Sequence, residues 1–116
     1  MRVIIAGSRN VWDYTIVETA MNNLSKLPTE VVSGTARGVD KLGEKWAKLN
    51  AIPVKRFPAK WNEYGKRAGY LRNAEMARYA DGLVAIWDGK SRGTMHMIDI
   101  AKACGMKVYV YRTDKN

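Results

Sequence analysis

A chain of 116 residues with one cysteine and one histidine excludes an internal disulfide and a zinc-type ligand set. Its hydrophobic content of 47% fits one domain over residues 1–116 with a single buried core, and excludes a chain disordered by composition. Twenty basic residues against eleven acidic ones leave +9, which points to an anionic partner without naming it.

MRVIIAGSRN breaks its apolar run with glycine and arginine, so no signal peptide is expected, and no stretch nears the roughly 20 residues of a membrane span. A cytoplasmic protein without membrane attachment is expected. RVIIAG reads as a buried strand. Asp13 is the expected N-cap of a helix carrying Ile16, Val17, Ala20, Met21, Leu24 and Leu27 on one stripe and ending at Pro28. EVVSG is a second strand. Val39, Leu42, Trp46, Ala47 and Leu49 then mark a second helix, closing near Asn50.

IPVKRFP is a weaker third strand between Pro53 and Pro58. The segment after it carries Lys60, Lys66, Arg67 and Arg72, with Trp61, Tyr64 and Tyr70 interleaved, and reads as a basic loop. Arg72 and Asn73 open the third helix, whose stripe is Asn73, Met76, Ala77 and Ala80. GLVAIW is the fourth strand. A helix from Thr94 carries Met97, Ile98, Ala101 and Cys104, and KVYVYR is the fifth strand. This alternation predicts an α/β fold: a Rossmann-like, doubly wound sheet of five mostly parallel strands with helices on both faces.

Ligands of such sheets bind at the carboxyl ends of the strands. Three of those ends repeat one chemistry. The first offers Gly7, Ser8 and Arg9, and the second Ser33, Gly34, Thr35, Arg37 and Gly38, with Asp40 opening the helix. The fourth offers Trp87, Asp88, Gly89, Ser91, Arg92, Gly93 and Thr94. Glycine admits a ligand close to the backbone, helix starts present free N–H groups, hydroxyls add donors, and arginine grips phosphate in a fork. Together they read as a phosphate cradle. Trp61 is placed to stack on a base, and Asn73 to bond the ligand or a neighbouring loop. Neither the Walker sequence nor the G-x-G-x-x-G dinucleotide fingerprint is present.

The succession GSR, SGTARGVD, FPAKWNEYG and WDGKSRGT resembles the SLOG superfamily, which joins the Smf/DprA proteins and the LOG phosphoribohydrolases. Its nearest likeness is the short, single-domain YspA-like branch of bacteria and phages. The resemblance implies a nucleotide or nucleotide-derived ligand at the strand ends and, in many members, a homodimer. It also exposes a departure. The LOG motif ends in a glutamate used to cleave base from ribose phosphate, and aligning Gly93 and Thr94 to it puts Met97 there.

Three functions follow: a binder of a nucleotide-derived small molecule acting as sensor, sequestering protein or adaptor; a small hydrolase of such a ligand; or a nucleic-acid-binding module. For the hydrolase the acid would be Asp40 or Asp88, cutting an N-glycosidic or phosphate bond. Phosphoribohydrolase activity of the LOG type is not expected with methionine at position 97. No metal and no cofactor beyond the ligand is expected. Cys104 is expected in the core, His96 at the surface or packed, Asp99 on the surface, and Trp12 fits no pattern.

Overall fold

The computed structural model describes residues 1–115 and holds one sheet with five parallel strands. The strands are β1 (Arg2–Gly7), β2 (Glu30–Ser33), β3 (Val54–Arg56), β4 (Gly82–Trp87) and β5 (Lys107–Arg112), in the order β3-β2-β1-β4-β5. The helices are α1 (Tyr14–Met21), α2 (Val39–Leu49), α3 (Trp61–Tyr64), α4 (Ala68–Tyr79) and α5 (Arg92–Ala103), with a 3-10 turn at Gly65–Arg67 between α3 and α4. All four neighbouring pairs are parallel, so the Rossmann-like expectation holds throughout the sheet.

Strand residues alternate between two cores. On one face Val3, Ile5, Val31, Val84 and Ile86 meet Val17, Ala20, Val39, Trp46 and Ala47 of α1 and α2. On the other, Ile4, Ala6, Val32, Leu83 and Ala85 meet Met76, Ala77, Met97, Ile98 and Ala101 of α4 and α5. The chain therefore winds outward from β1 in both directions, and the reversal lies between β1 and β4. Crevices open at the carboxyl ends of strands where the order reverses.

Several local expectations need correction. Helix α1 is capped by Asp13, whose Oδ1 accepts the Thr15 N–H at 3.0 Å, but it ends at Met21 and not at Pro28. Asn22 and Asn23 follow, and the Asn23 amide turns back onto the Thr19 carbonyl, competing with further helix. Leu24 still packs on the core, while Leu27 is exposed, as is Leu49. The basic segment after β3 is not a loop but helix α3 and the 3-10 turn. Neither buries a residue, so no apolar stripe announced them. Helix α4 begins at Ala68, which puts Arg72 and Asn73 in its second turn, and α5 begins at Arg92. Cys104 caps the end of α5 and is exposed, because the apolar stripe stops at Ala101. Trp46 is core, Asp99 is exposed, and Trp12 is exposed too.

Gly43 marks the closest approach of α2 to the sheet. A Cβ there would lie 2.8 Å from Ile5 Cγ2 and 2.9 Å from Ile5 Cβ. Alanine gains about 1 kcal/mol in helix propensity, whereas overpacking a filled core costs about 1–3 kcal/mol. Ile5 is wholly buried in β1 and cannot swing aside. Gly43→Ala is therefore expected to destabilise the fold, by about 1 kcal/mol net, in urea unfolding.

Candidate ligand site at the strand ends

Two connected cavities lie at the carboxyl edge of the sheet. The inner one, about 90 Å³, is bounded by Ala6 and Gly7 of β1, by Arg9, Ala36 and Asp40, and by Gly69, Arg72, Asn73 and Met76 of α4. Ser91, Gly93, Thr94 and Met97 close it from α5 and its approach. The outer chamber, about 330 Å³, is bounded by Arg9, Gly34, Thr35, Ala36, Arg37, Pro58, Ala59, Trp61 and Arg72. Arg9, Ala36 and Arg72 belong to both, so the two form one trench. A larger groove of about 530 Å³ sits at the opposite edge among Met1, Leu24, Leu27, Val108 and Tyr109. It contains no buried charged group, and the chemistry lies in the trench.

Four polar side chains at the inner cavity are buried: Asp40, Arg72, Asn73 and Thr94. Arg72 reaches from α4 to the end of β2. Its Nη1 donates to the Gly34 carbonyl and its Nε donates to Asn73 Oδ1 at 3.0 Å. The Asn73 amide then donates to the Gly93 carbonyl at 3.2 Å and to His96 Nδ1 at 3.1 Å. His96 thus accepts at Nδ1 and keeps its proton on Nε2, packed edge-on against Tyr70. Burial pushes its pKa down, keeping the imidazole neutral. Gly34 is required by proximity: a Cβ there would lie 2.7 Å from Arg72 Nη1 and 2.8 Å from Asp40 Oδ2.

Ser8 and Ser33, expected to face a ligand, tie loops together instead. The Ser8 Oγ accepts the Asp88 N–H at 3.2 Å, and its carbonyl accepts the Val39 N–H at 3.3 Å. This joins β1, β4 and α2. Ser33 donates to Glu44 Oε2 at 2.6 Å and accepts the Thr35 N–H at 3.1 Å, while Glu44 also holds Arg56. Gly38, with φ of 73°, passes against the Ser8 and Arg9 backbone, where a Cβ would clash at 2.5 Å. Thr35 holds a left-handed φ of 63°, a costly conformation for a β-branched residue, and it sits on the outer chamber.

The fourth strand end divides the same way. Asp88 accepts the N–H groups of Lys90 and Ser91 at 2.9 and 2.8 Å, which hold its carboxyl below the usual range. It is a turn residue outside the cavities. Trp87 donates from Nε1 to the Ser91 carbonyl at 3.0 Å and carries Arg112 over its ring, so it braces the loop. Gly89, with φ of 80°, packs against Asp114 and Arg112. Arg92 is exposed and lines neither cavity. Ser91, Gly93 and Thr94 are the members that face the inner cavity. Trp61 lines the outer chamber, with Arg9 over its ring at 5.7 Å. The sequence reading missed Gly69, Met76 and Ala36 on the walls, and the positioning of Asn73 by His96.

Among the described residues, Asp40 is the one acid lining the trench. Burial pushes it up to about 6, opposed by the Ala36 N–H it accepts at 3.1 Å and by the charge of Arg72. Its folded value lies above the ordinary 3.8, so the folded state holds the proton more strongly than the unfolded chain. The stability from this protonated carboxyl is full below pH 4 and is lost as pH rises through 6. Relative to Asp40→Asn, the wild type is expected to lose on the order of 2–3 kcal/mol between pH 4 and pH 7, followed by urea unfolding. Parallel pH profiles for the two proteins would show Asp40 to be solvated.

A family model described as YspA, cpYpsA-related SLOG family matches residues 1–64. Those residues run from β1 to the end of α3 and include Gly7, Arg9, the loop from Gly34 to Gly38 and Asp40. The Gene 61 protein of Mycobacterium phage D29 is 41% identical over 118 aligned residues, covering 92% of this chain and 93% of that protein. No solved structure matches the chain at a significant level. With the parallel sheet and the glycine- and arginine-bearing strand ends in place, the chain belongs to the YspA, cpYpsA-related SLOG family.

Proposed function

We propose that this protein binds a nucleotide-derived small molecule in the trench, with a phosphate at the start of α5 and the nucleoside toward Trp61, as a sensor, sequestering protein or adaptor. The observation that carries this reading is the convergence of buried Arg72, Asn73, Thr94 and Asp40 on a cavity at the reversal of strand order. Buried polar groups without a ligand cost stability unless each is bonded, and no buried side-chain nitrogen or oxygen among the described residues lacks a partner. The site is thus preorganised, with donors held before a ligand arrives. Family membership supports a nucleotide-related ligand.

A second reading makes the trench hydrolytic. It rests on Asp40, whose carboxyl lines the inner cavity and titrates near 6, the range of a general acid. Asp88 no longer competes for that role, being ionised and committed to its turn. Against hydrolysis stands Met97, 1% exposed and on the inner wall, at the position that the motif resemblance assigns to the glutamate of the hydrolases. A thioether neither carries a charge nor moves a proton.

Two experiments separate these readings. In native mass spectrometry of protein purified from cells, a co-purifying nucleotide is expected, and Gly93→Val is expected to lose it. A Cβ at Gly93 meets nothing within 4 Å, so the variant should fold with stability within about 0.5 kcal/mol of wild type while placing a branched side chain at the exposed edge of the inner cavity. Retention of the ligand by Gly93→Val would reduce Gly93 to a helix-start residue. In the second experiment, nucleoside monophosphates incubated with wild type are chromatographed, and no free base is expected. Base release that vanishes in Asp40→Asn would make the protein an enzyme.

A further inference from the structure

The phosphate proposed above takes up the inner cavity of about 90 Å³ and leaves the outer chamber to be explained. Three arginines, Arg9, Arg37 and Arg72, line that chamber, and no acidic residue does. Asp40 belongs to the inner wall alone. Arg9 and Arg72 repel one another across the shared wall, a cost that an anion between them removes. The chamber also meets the approach to α2, an 11-residue helix whose preceding N–H group, at Arg37, donates to no acceptor among the described residues. Independently of that helix, Arg72 is 9% exposed, with Nε and Nη1 committed to Asn73 and Gly34. Its Nη2 makes no hydrogen bond among the described residues and, since no buried side-chain nitrogen there lacks a partner, it is the accessible nitrogen of the group. A largely buried guanidinium that keeps one accessible donor on a cavity wall is built for an incoming oxygen.

We propose that the outer chamber is a second anion subsite, so that the ligand carries two phosphoryl groups, one at the start of α5 and one among Arg9, Arg37 and Arg72. This rests on the nucleotide reading above and narrows it: nucleoside monophosphates are poor ligands, and doubly phosphorylated or diphosphate-bridged nucleotides are good ones. The two cavities share a wall, and both a contiguous diphosphate and two separate phosphates satisfy the same chemistry.

Calorimetry with AMP, ADP and adenosine 3′,5′-bisphosphate tests it on wild type, Arg37→Ala and Lys48→Ala. The last removes an exposed charge near the far end of α2 and controls for net charge. Wild type is expected to bind at least one of the two diphosphorylated probes about tenfold tighter than AMP, the scale of one charge-assisted hydrogen bond. That advantage collapses in Arg37→Ala and persists in Lys48→Ala. A preference for ADP identifies a contiguous diphosphate, and the reverse preference identifies separate phosphates. AMP binding as tightly as both, or an advantage that survives Arg37→Ala, overturns the proposal. Inorganic pyrophosphate against phosphate repeats the comparison without a nucleoside. If no nucleotide binds but pyrophosphate does, and Arg37→Ala abolishes it, the subsite stands and the nucleotide reading falls. If pyrophosphate fails as well, both fall.

Discussion

The bond from Arg72 to the Gly34 carbonyl is the contact on which the site depends. It joins α4, on one face of the sheet, to the end of β2, residues 38 apart in sequence. Taking a guanidinium out of water costs several kcal/mol unless its protons are matched by acceptors. Here a backbone carbonyl and the Asn73 amide oxygen supply acceptors, and the Asp40 carboxyl supplies an opposing field. The arrangement needs glycine at 34, because any Cβ would enter the space that Arg72 and Asp40 share.

From Arg72 the constraint propagates. Asn73 is held by its neighbour and in turn holds the Gly93 carbonyl and His96, so α4 fixes the first turn of α5. Ser8 does the equivalent on the other side, bonding the backbone of Asp88 and of Val39. Three strand ends are thereby locked, by Ser8 from outside the trench and by Arg72 and Asn73 from its wall. The other groups on the wall take their positions from those locks. Precise placement of a binding shell by a supporting shell is what keeps such a site from loosening.

Much of the fold was legible because it is local. Alternating β-branched runs and helical stripes gave five strands and their parallel pairing, and Asp13 gave its cap. What failed was also physical. Helix α3 and the turn after it bury nothing, so periodicity had no stripe to report. The end of α1 was misplaced because Leu24 packs on the core from a non-helical segment, mimicking a further turn. At the site, the residue types at the strand ends could be named, but not which way they face. Gly7, Arg9, Gly34, Thr35, Arg37, Asp40, Trp61, Arg72, Asn73, Ser91, Gly93 and Thr94 line the trench. Ser8, Ser33, Gly38, Trp87, Asp88, Gly89 and Arg92 do not. Orientation there is set by partners far along the chain, and no short motif encodes them. Asp88 is the exception, since an aspartate two and three residues before unsatisfied N–H groups is a local turn signal.

The net charge of +9 and Asp40, the one buried acid among the described residues, act at different ranges. Among the described residues only two ion pairs form, Arg56 with Glu44 and Arg112 with Asp114. Lys60, Lys66 and Arg67 stand exposed along the rim after β3, with Trp61 and Tyr64 between them. Uncompensated charge at a concave edge raises the local concentration of anions and speeds their capture. It does not orient them. Orientation comes from the trench, where the outer chamber offers cations alone and the inner cavity sets Asp40 against Arg72 with Met76 and Met97 behind. The ligand proposed for the trench therefore meets two environments, arginines without an acid outward and a carboxyl beside a guanidinium inward.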